Sequence, residues 1–373
     1  MVWAEGFREN WRLCGCFVNA EGQKQHLFEF NDGLSRYYNP ICVCRQNGEL
    51  WIVYECHRQH NSAVMATLLS PDGQERQTCR ISDDEGNAYD PSISLGNDDT
   101  LYCAWTQFHQ GSYRVAWRAA DTDTRPEYVT PLSSHAYYPG LSVSPAGGLW
   151  LSWVSYDGPK YTNPYEKAYV KHELRRHVQS FWLHQRRVHA AFRDQGEWKA
   201  LDAAGESSDG EIEALRGGLW SRPVFFADGT PVITARVAFK EEEVAAKFTT
   251  LATTWRDGQW TEPVPLPAAP CGEIHPPAAA TTGDTLWNVS NVDGRDSTVN
   301  TDYLPGFSIL QLNTVRQSHS AGELPAAVRS VGLVAFESTE FVGVEIQPRC
   351  LMGLADHGGV CRHTPRPRKR QAP

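Results

Sequence analysis

The chain has 373 residues, a formal net charge of −9, 21% charged residues and 11% aromatic residues, among them 13 Trp. This composition is that of a globular protein rather than a disordered one, and its acidic balance excludes a chain-wide nucleic-acid footprint. No apolar run reaches the ~18 residues of a membrane span. Residues 1–11 lack the apolar core of a signal peptide, so the expected location is the cytoplasm, or outside the cell with a secretion signal missing from this sequence.

The first predicted element, residues 14–32, is a hairpin that aligns with residues 65–83. Glu21-Gly22-Gln23 of the first matches Asp72-Gly73-Gln74 of the second. Residues 37–55 then open a cassette: aromatic residues, a proline, a short apolar run, a tight turn and a second apolar run. The cassette recurs at 88–106, 136–155, 220–237 and 274–292, with turns at Asn47-Gly48, Asp98-Asp99, Gly147-Gly148, Asp228-Gly229 and Gly283-Asp284. Two apolar runs joined by such a turn predict a hairpin, and five copies predict a repeat architecture. Each repeat reads as four strands, the cassette hairpin followed by a second hairpin. The chain thus begins halfway through a repeat and needs strands from its C-terminus to complete it.

The predicted fold is all-β: a single β-propeller of four-stranded blades, five to six of them detectable, with the ring closed by N- and C-terminal strands. The propeller is expected over residues 1–347. An insertion at 156–185 rises on the axial mouth, and a second lies at 293–306. Segments 187–198 and 251–260 match one another, each ending in a turn and a packing Trp (Trp198, Trp260). Residues 331–346 look like two closing strands. Residues 348–373 read as a disordered or non-native tail with a basic end.

The chemistry is expected where the loops leading into the first strands meet the exits of the second strands. That end gathers Arg36, Tyr38, Asn39, Tyr89, Asp90, His135, Tyr137, Tyr138, Arg222, Glu273 and His275 from the leading loops. The exits add Glu55, His57, His109 and Arg236. Arg36, Arg222 and Arg236, from separate repeats, suit an anionic ligand by bidentate pairing. His135, His275 and the tyrosines offer proton-transfer groups. Tyr38 and Tyr89 also fit a packing role, and Asp90 a turn cap. His57, His109, His135 and His275 carry no metal-ligand spacing, and no cofactor is implied. The pairs Cys14/Cys16 and Cys42/Cys44 read as buried thiols acting as small hydrophobes rather than as a zinc site.

The cassette at Pro139–Trp153 and the Asp-Gly-x-Trp of Asp257–Trp260 resemble the sialidase-like (BNR-repeat) β-propellers over roughly residues 10–312. The family's Asp-box is absent, as is the Phe-Arg-Ile-Pro segment of sialidases. The resemblance implies an enzyme acting on an acidic oligo- or polysaccharide, with lyase-type β-elimination preferred over sialidase-like hydrolysis. For the lyase it implies Arg222 or Arg36 on the uronate carboxylate, His135 or Tyr138 as base, and His275 or Tyr137 as acid. For the hydrolase it implies Tyr137 or Tyr138 with Glu273 as nucleophile pair, and Asp90 as acid. Asp90, Glu273, His57 and Arg236 join Arg36 and Arg222 in the expected substrate-binding set. The competing expectation is a non-catalytic propeller that binds a glycan or a protein on the same face.

Overall fold

The computed structural model describes residues 2–7, 10–18, 23–59, 61–120, 124–133, 135–156, 186–201, 210–239, 247–271, 278–293, 307–316 and 329–337. The described chain is nearly all β, with one short 3-10 turn at Glu213–Leu215. Among the described residues no helix is long and apolar enough to cross a membrane.

Six antiparallel sheets follow one another in chain order. The first contains β1 (Val2–Phe7), β2 (Asn10–Val18) and β3 (Lys24–Phe30). The second contains β4 (Arg36–Cys44), β5 (Leu50–Arg58), β6 (Asn61–Leu69) and β7 (Glu75–Arg80). The third contains β8 (Asn87–Leu95), β9 (Leu101–His109), β10 (Ser112–Ala119) and β11 (Glu127–Tyr128). The fourth contains β12 (Ala136–Val143), β13 (Leu149–Tyr156), β14 (Arg186–Asp194) and β15 (Glu197–Ala200). The fifth contains β16 (Gly218–Phe225), β17 (Pro231–Phe239), β18 (Lys247–Arg256) and β19 (Gln259–Trp260), with β20 (Val264–Cys271) also pairing β18. The sixth contains β21 (Ala278–Thr282), β22 (Thr285–Asp293), β23 (Phe307–Arg316) and β24 (Arg329–Glu337).

All five cassettes form the hairpins expected of them: β4–β5, β8–β9, β12–β13, β16–β17 and β21–β22. The first four close through three-residue loops. In the first, the amides of Gly48 and Arg45 bond the carbonyls of Arg45 and Glu49. This is a type I turn whose third residue must be left-handed. Gly48, Gly147 and Gly229 take that position at φ 86°, 87° and 85°, and Asp99 takes it at 63°. The matched turns before Trp198 and Trp260 are two-residue loops with both residues left-handed, Gln195-Gly196 and Asp257-Gly258. Trp198 and Trp260 pack against core clusters, as expected.

The core is divided into seams rather than gathered in one place. Val2 and Leu13 of the first sheet pack with Tyr37, Ile52 and Tyr54 of the second. Trp51, Val53 and Ile41 pack with Ile93, Cys103 and Trp105 of the third. Ala104 and Val115 pack with Leu141, Leu151 and Trp153 of the fourth. Val154, Val188 and Ala190 pack with Ile233, Ala235 and Leu219 of the fifth. Phe226, Val232 and Ala252 pack with Leu286 of the sixth. Second strands therefore bury one face against the preceding sheet and the other against the next, which is why β5 is apolar without alternation from Leu50 to Tyr54, whereas the outer strands β3 and β7 are mostly exposed.

The two ends of the chain depart from expectation. The first sheet takes all three strands from the N-terminus, because β1 pairs β2 from Val2↔Gly15 to Phe7↔Asn10. The late strand β24 pairs β23 in the sixth sheet. Among the described residues no sheet is shared between the termini. The second half of the segment 331–346, the insertion over 157–185 and the tail after 347 lie outside the described residues. The two C-x-C pairs are also unlike one another: Cys14 and Cys16 are buried, whereas Cys44 is exposed at the end of β4. Burial pushes the Cys14 thiol up to about 11.

Candidate active site at the leading ends of the inner strands

Four first strands break their ladder at the same place. Register shifts fall between Tyr38 and Ile41, Tyr89 and Ser92, Tyr137 and Gly140, and Leu219 and Arg222. Each is a bulge whose first residue is left-handed and is not glycine: Asn39 at φ 47°, Asp90 at 52°, Tyr138 at 52° and Trp220 at 49°. In three of them the second residue is a proline, Pro40, Pro91 or Pro139. Proline brings no N–H, so a strand tolerates it where the ladder is already broken. In the fifth sheet Ser221 stands there instead, and Pro223 comes two residues later, paired with Ile233. Aligning the cassettes on Pro223 therefore slips by two residues and sets Arg222 too near the strand's start. Arg222 lies past the bulge, and its guanidinium donates to the Ile93 carbonyl of the third sheet at 3.3 Å.

A left-handed bulge turns its amide out of its own sheet, and that donor still needs an acceptor. The acceptor comes from the second strand of the preceding sheet. Glu55 on β5 accepts the Asp90 amide at 2.8 Å on Oε1, and the same oxygen accepts Asn39 Nδ2 at 2.6 Å. Thr106 on β9 accepts the Tyr138 amide at 3.2 Å on Oγ1. Its side chain also bonds the Asp90 carboxyl. Glu55 and Thr106 occupy equivalent places, opposite Tyr38 and Tyr89. The corresponding residues of the next two sheets are Val154 and Arg236.

This latch brings two carboxyl groups together across the seam between the second and third sheets. Glu55 is buried, and its Oε2 lies 2.8 Å from His57 Nε2. Asp90 is half-buried. Burial, and then repulsion from Glu55, push its carboxyl up to about 7, against a lowering contribution from Thr106. Two neighbouring acids with different surroundings are a common way to hold one of them protonated near neutral pH.

A cleft of about 350 Å³ opens next to His57, the partner of Glu55. Arg36, Tyr38, His57, Asn31, Ser35 and Gln59 line it, together with the loop at Gly33 and Leu34. Asp32 caps that loop, accepting the amides of Leu34 and Ser35 and the Ser35 hydroxyl. These bonds outweigh burial and hold its carboxyl below the usual range.

Of the residues expected at the mouth, the structure brings together Arg36, Tyr38, His57, Tyr89, Asp90, Tyr137 and Tyr138. Arg236 is fully buried, at the place where Glu55 stands in the second sheet. His135 precedes β12, and its carbonyl accepts the Tyr156 amide. Glu273 and His275 lie outside the described residues. The residues not singled out beforehand are Thr106, which looks like an ordinary strand residue, and Tyr113, which belongs to the third strand of its sheet. A signal for Tyr113 does exist: it follows Gln110-Gly111, a tight turn at the same end of the sheet.

No protein-family model matches the chain, and no curated protein matches it. Solved structures give distant likenesses. A Dyadobacter fermentans protein of unknown function is 13% identical over 79% of this chain and 94% of its own, at a TM-score of 0.46. A B. megaterium levansucrase mutant is 10% identical over 88% and 89%, at 0.47. The GH93 alpha-L-arabinofuranosidase of Fusarium graminearum, in complex with arabinobiose, is 11% identical over 79% and 80%, at 0.45. Likeness this distant fixes neither a reaction nor a substrate.

Proposed function

We propose that the chain is a single β-propeller and a carbohydrate-active enzyme, cleaving a glycan at the leading ends of its inner strands. The observation that carries this reading is the Glu55–Asp90 pair. One carboxyl is buried and serves as a hydrogen-bond acceptor, and the other is pushed to about 7, next in sequence to Tyr89, whose ring meets the cleft residue His57. The five seams between consecutive sheets support the propeller, and a sixth seam between the last sheet and the first would close it.

Protonated Asp90 acts as the general acid. It gives its proton to the departing glycosidic oxygen as the bond to the anomeric carbon breaks. Water then adds to that carbon, and its proton restores the carboxyl. Glu55 is too buried to meet the sugar. It acts through Asp90, by fixing the backbone of the bulge and raising the cost of ionising its neighbour.

The make-up of the cleft favours a second reading, β-elimination on a uronate. Arg36 would neutralise the sugar carboxylate, while Tyr38 and His57 would move the C5 proton and protonate the leaving oxygen. The same incubation separates the two. The protein is mixed with neutral and uronate-containing polysaccharides, and both reducing ends and the ultraviolet absorbance of an unsaturated uronate are followed. Reducing ends without absorbance, lost in Asp90→Asn, support hydrolysis. Absorbance lost in Arg36→Ala supports elimination. Binding with no product from any polysaccharide would leave a glycan-binding propeller and end the enzyme proposal.

A further inference from the structure

An arc of aromatic rings runs along the same end of the sheets, well beyond the cleft. Trp11 meets Tyr38 at 5.1 Å between ring centroids, Tyr38 meets His57 at 4.7 Å, and His57 meets Tyr89 at 6.0 Å. Tyr89 meets Tyr113 at 6.5 Å, and Tyr113 meets Tyr137 at 4.8 Å. These six rings come from four successive sheets. Each is half-buried.

None of the six packs into the five hydrophobic seams, whereas their neighbours do. Tyr37, next to Tyr38, belongs to the seam between the first and second sheets, and Tyr138, next to Tyr137, packs against the seam between the fourth and fifth. Packing therefore accounts for Tyr37 and Tyr138 but not for the arc. Six contiguous, half-buried rings that stand outside the seams are a surface that a ligand would cover.

The geometry points to a linear oligosaccharide as that ligand, lying along the arc from Tyr38 to Tyr137 and longer than a disaccharide; this rests on the glycan-cleaving reading above. The cleft alone, at about 350 Å³, sits at the small end of ligand pockets and adjoins only the Tyr38–His57 step. One sugar, about as wide as one aromatic ring, covers one or two steps of the five. The rings alternate with polar groups, Arg36 at one end and Asp90 in the middle. A sugar chain presents the matching alternation of apolar ring faces and hydroxyl edges. An apolar peptide or a lipid would leave the Asp90 carboxyl and the Arg36 guanidinium without hydrogen-bonding partners of its own.

The test is calorimetric binding of two probe series, arabino-oligosaccharides and oligogalacturonates of one to six sugars, in the cold and with turnover checked by chromatography. The expected result is an affinity that keeps rising beyond two sugars in at least one series. Tyr113→Ala should lose roughly 2- to 10-fold for the long probes and leave the shortest unchanged, while Tyr113→Phe, which keeps the ring, should bind like the parent. Thermal melting verifies that each variant is folded, and Tyr137→Ala provides a second variant should Tyr113→Ala fail to fold. Affinity that levels off at one or two sugars overturns the extended track and leaves the cleft's function standing. Equal losses for short and long probes also overturn it. No binding by any probe overturns both the track and the function on which it rests.

Discussion

Asp90→Asn should make the protein more stable at alkaline pH while removing the glycan cleavage proposed for it. Asn has nearly the shape of Asp, can bond Thr106, and cannot ionise. In the parent, the folded state holds the Asp90 proton up to about pH 7, whereas the ordinary value is 3.8. Between those values the folded state binds more protons than the unfolded one, so stability falls as pH rises through the window. A gap of about three units at ~1.4 kcal/mol each gives a penalty of about 4 kcal/mol above pH 7. That is a ceiling, since Asp90 keeps part of its surface in water. With an unfolding entropy of about 2 cal/mol/K per residue over the whole chain, this corresponds to roughly 5 °C in melting temperature. Melting curves of parent and variant from pH 4 to pH 8 provide the measurement. The variant's advantage should be near zero at pH 4 and grow to its full size by pH 8. A difference that stays constant with pH would refute the argument, because it would mean that Asp90 ionises as readily folded as unfolded. Glycan cleavage by the same variant should fall by roughly two to four orders of magnitude if Asp90 is the general acid.

Glu55→Gln keeps an acceptor for the Asp90 amide and removes the neighbouring charge. The Asp90 carboxyl should then titrate lower, though still above its ordinary value because burial is the larger cause; carbon-13 spectra of Asp-labelled protein would follow it directly, and an unmoved titration counts against the pair. Thr106→Val removes the acceptor of the Tyr138 amide and a partner of Asp90, which should cost roughly 1–3 kcal/mol in denaturant melts; a neutral result would mean that the latch bears no load. Gly140→Ala would set a methyl against the Ser221 carbonyl and the Arg222 backbone, where the fourth and fifth sheets abut. Overpacking there should cost about 1–3 kcal/mol or more, and unchanged stability would show that the seam is looser than it looks.

The repeat was legible because each hairpin depends on local chemistry. Gly48, Gly147 and Gly229 stand where a left-handed residue is required, and the apolar runs on either side match in length. The phase of the fifth sheet was not legible. Its bulge uses Trp220-Ser221, and a proline two residues later imitates the marker of the other cassettes. The ends misled for a related reason. Residues 2–7 match no cassette, yet they bury Val2 and Ala4 and pair fully with β2. A terminal sheet needs no turn signal to add one strand. Asp90 was legible as a polar residue before a proline, but its raised carboxyl was not. That property comes first from burial between two sheets and then from Glu55, 35 residues earlier in the chain and on the neighbouring sheet.

The latch also explains why the candidate site belongs to the second and third sheets. The same backbone position occurs in four consecutive sheets, and in two of them it takes the next sheet's bulge amide. Glu55 and Thr106 meet it with an acceptor, and only in those two cases does the acceptor also touch a functional side chain. Val154 has no acceptor to give, and its bulge partners Tyr138 and Trp220 turn into the seam, with ring centroids 5.8 Å apart. Arg236 is buried at the same position with a donor head in place of an acceptor. The position thus grades from carboxylate through hydroxyl to hydrocarbon and cation from the second sheet to the fifth. The acid, the cleft and the open aromatic arc fall where the acceptors are, and the arc ends at Tyr137, the last ring before the acceptors stop.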